Sequence, residues 1–300
     1  MRKIKLNFIL LILLINIDIS FGQKIEPGSV EQNSKKLKTL IIGSSVLYST
    51  SLITLDRLWY RDFPREGFHF FNDSHEWKQV DKIGHGYTAF HISSASAKAL
   101  QWSGVNSRKS YVWGGVMGFL SMTPIEIMDG YSSEYGASLP DLAFNALGAA
   151  LFVSQGILWD EIRIHPKFSF TRSDYPKSRP QILGDGFSEE LLKDYNGQTY
   201  WLSFDIARII PSKEKIPTWI NLAIGYGAND MIYASDLNNY INGLSPYRQY
   251  YLALDVDLSH IQSQSRLVNT LLYLINMIHL PAPALELTSN GQFTFHALKF

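Results

Sequence analysis

The hydrophobic pattern divides the chain into segments of different period. Residues 1–22 open on Arg2, Lys3 and Lys5, run apolar from Phe8 to Ile15, and close on Ser20 and Gly22. A basic head, a short apolar run and small residues before Gln23 read as a cleavable export signal; a spanning helix needs roughly 20 apolar residues. Residues 23–36 form a polar lead-in. Leu37 to Leu55 is apolar, diluted by Ser44, Ser45, Ser49, Thr50 and Ser51, which suits a weak membrane helix or a buried one. Three more stretches have helical character: Asp81 to Trp102, rich in Ala and Ser; Ser107 to Asp129, with Gly114-x-x-x-Gly118; and Ser138 to Trp159, with Gly148, Ala149 and Ala150. Small residues at helical spacing let backbones approach closely. Residues 37–160 therefore predict a bundle of about four short apolar helices, membrane-seated or membrane-adjacent. The aromatic run from Trp59 to Trp77 fits either a membrane–water boundary or a loop folded over the helices.

After Trp159 the period shortens. Residues 160–200 are mixed and interrupted by Pro166, Pro176 and Pro180. Tyr200–Ile209, Thr218–Tyr226 and Tyr250–Leu258 then read as strands. The last of these places Tyr250, Leu252, Leu254, Val256 and Leu258 on one face and Asp255, Asp257 and Ser259 on the other. Leu267–His279 resembles an apolar helix stopped by Pro281 and Pro283. Leu285–Phe300 reads as a hairpin around Ser289-Asn290-Gly291. These strands fall short of the about eight that an outer-membrane barrel needs. The expectation for 161–300 is a small periplasmic sheet packed on the helices, and the fold class is α+β, a helical N-terminal unit followed by a β-rich C-terminal half.

Composition narrows the function. Charged residues are 18% and aromatics 13%, a balance that leans towards membrane association. Basic and acidic residues number 27 each and no basic tract occurs, which argues against nucleic acid. With no cysteine there is no disulfide, no thiolate metal site and no lipid-bearing cysteine.

Three polar clusters interrupt the apolar helices: Asp81-Lys82-x-x-His85, Glu126-x-x-Asp129 and Asp141-x-x-x-Asn145. Spacings of three and four put each set on one helical face. If the second, third and fourth helices run up, down and up, the clusters meet at one end of the bundle. They would then supply acid–base chemistry or hold a divalent cation, with His85, Glu126 and Asp129 as candidate ligands. Structural readings compete. Asp141 falls in a capping-box pattern opened by Ser138, with Pro140 in the first turn; Glu126 has the same setting after Thr123-Pro124; Asp81 suits an N-cap; His85 suits a hydrogen-bonded core position. His91 and Lys98 are weaker candidates.

The ordered triple Asp81-Lys82-Ile83-Gly84-His85, Glu126-Ile127-Met128-Asp129 and Ser138 to Ala149 resembles the YfiM-like family, a group of predicted periplasmic lipoproteins of unknown function. The long form looks like proteins of the Bacteroidetes group, and a similar ordering occurs in VanZ-like membrane proteins. The resemblance implies an envelope location and a shared polar site without supplying a reaction. The expectation is a structural or lipid- or envelope-binding role. One alternative is a hydrolase or transferase acting on a lipid or glycan headgroup, with Lys82 pairing an anionic group and Asn145 orienting a partner. Another is an outer-membrane assembly or transport accessory. Membrane lipid or another envelope component is the expected partner.

Overall fold

A computed structural model describes residues 34–61, 63–209 and 217–300. The export signal and most of the polar lead-in lie outside them. Helix α1 spans Ser34–Leu55, α2 Val80–Trp102, α3 Ser107–Asp129 and α4 Leu139–Trp159. At 21 to 23 residues these helices are long rather than short. By length and composition α1 and α4 are the two, among the described residues, that are apolar enough to cross a membrane.

Caps explain the helix starts. The Asn106 side chain accepts from Arg108 N ahead of α3, and Ser138 Oγ accepts from Asp141 N ahead of α4. Pro124 does not restart α3, which runs unbroken to Asp129, so Glu126 is not a cap. Asp81 is not one either: α2 begins at Val80 after Gln79. Trp77, Lys78 and Gln79 all lie in the left-handed region, at φ 46°, 51° and 64°. Three consecutive non-glycine residues there are costly. The turn is held by Trp77 N donating to Ala234 O at 3.0 Å and by Lys78 Nζ on Asp236 at 2.6 Å.

Small residues bring the helices together. A side chain at Gly118 would overlap Ser93 and Ala89 of α2, and one at Gly148 would overlap the Gly86 carbonyl. The glycine pair Gly86 and Gly148 thus sets the α2–α4 approach, and Gly114 and Gly118 set that of α2 and α3. The loop from 63 to 71 is folded along residues 130–137, with His69 N donating to Gly130 O and Phe71 N to Ala137 O.

Six antiparallel strands follow in chain order: β1 Ile164–Phe170, β2 Gln198–Phe204, β3 Ile220–Asn229, β4 Tyr247–Val256, β5 Ala282–Thr288 and β6 Phe293–Lys299. Short helices lie in the connections: α5 Pro180–Leu183, α6 Phe187–Lys193, α7 Ile206–Ile209, α8 Asp236–Ile241 and α9 Arg266–Ile275. The stretch expected as a strand to Ile209 ends at Phe204 and turns into α7. Strand β1 was hidden in the sequence by Pro166, which an edge strand tolerates.

The alternation read in β4 is present, but its apolar phase faces outward. Leu252, Leu254, Leu285, Leu287 and Phe295 are exposed, whereas Tyr251, Ala253 and Asp255 are buried. The inner face buries a polar network. Asp255 pairs with Lys167 Nζ at 2.6 Å and His279 Nδ1 at 3.0 Å, and Ser203 donates to it at 2.5 Å. Trp201 stacks on His279 and donates to Ser169 Oγ. Buried charges are tolerable only when paired in this way. Helix α2 crosses the β1–β3 region: Gly84 meets Tyr200, and Pro166 O accepts from His91 Nε2 at 2.9 Å. That contact and burial, which holds its pKa down to about 4, give His91 a structural role.

Candidate functional site

Where α2, α3 and α4 converge, the three polar clusters meet. Lys82, 1% exposed, places Nζ 2.7 Å from Asp73, 2.9 Å from Asp141 and 3.6 Å from Asp81. His85 Nδ1 lies 3.4 Å from Glu126 Oε1, and neither atom has a hydrogen-bond partner in the fold. Glu126 Oε2 accepts from Ser138 N at 3.3 Å, tying the end of α3 to the start of α4. Asp129 accepts from Tyr60 at 2.7 Å, and Asp81 from Tyr195 at 2.7 Å.

Asp73, Asp81, His85, Asp129 and Asp141 line the floor of a cavity of about 760 Å³ between the bundle and the segments leading into the sheet, with Lys82 and Glu126 buried behind them. Its walls mix apolar and aromatic side chains, among them Trp59, Phe71, Met122, Ile125 and Trp77, with Asp81, His85, Asp129 and Asp141 exposed to its interior. A concave, largely apolar wall with a few convergent polar groups is the usual anatomy of a small-molecule site.

Crowding sets the protonation states. Burial pushes Glu126 up to about 8, and burial pushes Asp129 up to about 7. Burial and the neighbouring Asp73 raise Glu76 to about 7. Asp141 is also raised, by burial and by Asp81, while Asp73 is held down against burial by hydrogen bonds from Asp141, Lys82 and Ser138. Burial disfavours the cation on His85, but Asp81, Asp141, Glu126 and Asp129 more than offset it and raise the imidazole's pKa. Glu76, Glu126 and Asp129 are thus held as proton-carrying groups near neutrality, the condition for proton transfer at physiological pH.

Six of the seven residues expected at the site share this region: Asp81, Lys82, His85, Glu126, Asp129 and Asp141. Asn145 is buried one turn further along α4, and its amide atoms have no hydrogen-bond partner. Ligand atoms of Asp81, His85 and Asp141 lie within 4.8 Å of one another, whereas Asp129 is turned to Tyr60. Asp141 does not act only as a cap, since its side chain holds Lys82. Sequence reasoning missed Asp73, Glu76, Tyr60 and Tyr195. The first three lie in or beside the aromatic loop, and Tyr195 lies 114 residues from the Asp81 that it bonds. An Asp and a Glu among aromatics, Asp73 and Glu76, were the available signal.

Fold and site define a class: a helical bundle against a six-stranded antiparallel sheet, with a buried cluster of acid, imidazole and ammonium groups under an aromatic-walled cavity. A family model described as predicted periplasmic lipoprotein (DUF2279) matches residues 66–155, a span that holds all seven expected site residues. The chain is accordingly an exported, envelope-associated protein. No curated protein and no solved structure matches it.

Proposed function

We propose that this envelope protein binds an amphiphilic envelope molecule in the 760 Å³ cavity, with the molecule's polar group against His85 and the carboxyls of Asp81, Asp129 and Asp141. The observation that carries this reading is His85 on the floor of an aromatic-walled cavity, its buried Nδ1 without a hydrogen-bond partner and backed by Glu126 at 3.4 Å. Buried polar atoms without partners are costly unless a ligand completes them. The apolar outer face of the sheet, with Leu252, Leu254, Leu287 and Phe295 exposed, supports a position against membrane lipid. The protein expressed in its own envelope and extracted with organic solvent should release one amphiphile per chain. Ile125→Trp, which fills the cavity, should abolish that release; equal release from wild type and variant would contradict the proposal.

The His85–Glu126 contact favours a second reading, hydrolysis or transfer at the headgroup. There His85 would act as acid–base group, Glu126 would position it, and Lys82 would balance anionic charge. Envelope lipid incubated with wild type, His85→Asn and Glu126→Gln tests it. Turnover by the wild type alone supports it, and no turnover restricts the site to binding.

A further inference from the structure

A second cluster lies at the other end of β2, away from the cavity. Asp205 follows β2, Asp257 follows β4, His260 sits in the 3₁₀ turn Leu258–His260, and His165 is in the first residues of β1. Ligand atoms of Asp205, Asp257 and His260 lie within 4.8 Å of one another. His260 Nε2 is 3.3 Å from Asp205 Oδ2 and 3.5 Å from Asp257 Oδ2, and His165 Nε2 is 3.4 Å from the same Asp257 oxygen. Both carboxylates are 0% exposed. Asp257 Oδ2 and His165 Nε2 are buried with no hydrogen-bond partner.

We propose that His165, Asp205, Asp257 and His260 form a structural Zn²⁺ site that ties the ends of β1, β2 and β4 together. Tetrahedral ligands about 2.0–2.1 Å from zinc stand about 3.3–3.4 Å from each other, close to the separations of 3.3 and 3.5 Å that His260 makes with the two carboxylates, and His165 reaches the set through Asp257 at 3.4 Å. Each carboxylate is already oriented through its other oxygen. Asp205 Oδ1 accepts from Arg208 N at 3.1 Å, and Asp257 Oδ1 accepts from Ser259 N at 2.8 Å and Asn276 Nδ2 at 3.1 Å. Asp257 Oδ2 is left for the ion, and Asp205 Oδ2, which meets His260 Nε2 at 3.3 Å, would exchange that contact for it, both with the outer support that metal ligands carry. Arg208 is a cation that lies against the cluster. Its Nε is 3.3 Å from Asp205 Oδ2 and its guanidinium meets His260 Nδ1 at 3.3 Å, while Glu161 holds its other side. Metal on Nε2 leaves the proton on Nδ1, so Arg208 withdraws from that nitrogen when the ion enters.

The test is zinc titration of the chelator-stripped full-length protein by calorimetry, with thermal melts alongside. Wild type and His85→Asn should each bind zinc at this site and melt higher with it. His260→Gln and His165→Gln should each weaken binding by more than the roughly 10–100-fold that follows loss of an outer-sphere partner. Their metal-free melts should match the metal-free wild type. Arg208→Ala keeps all four ligands and should bind zinc as tightly or more tightly, so it carries the test together with His165→Gln if His260→Gln does not fold. No zinc uptake by the wild type overturns the proposal. So does uptake unchanged in both histidine variants, uptake lost in Arg208→Ala, or uptake lost only in His85→Asn.

Discussion

Replacing Lys82 by Met removes the ammonium and keeps the length of the side chain. Lys82 is 1% exposed and contacts Asp73, Asp81 and Asp141 within 3.6 Å. Its loss leaves buried carboxylates with no facing cation, and breaking a buried pair from one side costs about 3–5 kcal/mol. With an unfolding entropy of about 2.1 cal/mol/K per residue, a chain of this size loses roughly 5–9 °C in Tm for that amount. The loss should depend on pH. Without the ammonium, Asp73 loses a bond that holds it down and Asp141, already raised, rises further above its unfolded value near 3.9, so the native state of the variant holds protons more tightly than that of the wild type. Stability of the variant is then greatest at low pH and falls as pH rises through those folded values. The gap from wild type should therefore narrow between pH 7 and pH 5. Thermal melts followed by tryptophan fluorescence at both pH values read this directly. Adding Asp73→Asn and Asp141→Asn to Lys82→Met should recover most of the loss at pH 7. A loss below about 1 kcal/mol, or one equal at both pH values, would refute the argument that the ammonium offsets buried negative charge.

Glu126, held up to about 8, makes native stability fall as pH rises from 5 towards 8, because its proton is retained longer in the folded state. Glu126→Gln should flatten that slope by up to about 1.4 kcal/mol per pH unit, and an unchanged slope in denaturant titrations would count against the assigned burial effect. Gly148→Ala forces a methyl onto the Gly86 carbonyl and should cost about 1–3 kcal/mol by overpacking, read as a lower urea midpoint. Leu252→Lys with Leu254→Lys places charge on the exposed sheet face and should reduce flotation with lipid vesicles without lowering Tm; flotation equal to wild type would remove that face from lipid contact.

The helices and their polar clusters were legible because a helix writes its faces at intervals of three and four, and α3 was read to the residue. That the clusters meet was conditional on an up, down, up order of the helices, which the sequence itself does not show. What stayed hidden has specific causes. Asp73, Glu76 and Tyr60 lie in or beside irregular backbone, which has no period to read. Tyr195 reaches Asp81 only through the packing of α2 against the approach to β2. The period of β4 was plain, but alternation does not say which phase is buried. Here Lys167, Asp255, His279 and Ser203 satisfy one another, so the polar phase goes inward. The cluster of His165, Asp205, Asp257 and His260 was out of reach because its residues come from β1, the end of β2 and the end of β4, joined only by register.

The central claim is that the cavity above His85 holds an amphiphile. Photoreactive lipid fed to cells that express the protein, followed by peptide mapping of the crosslinks, tests it most directly. Crosslinks are expected on the cavity walls at Trp59, Met122 and Ile125, and should be lost in Ile125→Trp. Crosslinks confined to the outer sheet face at Leu252, Leu287 and Phe295, with none on the cavity walls, would contradict it.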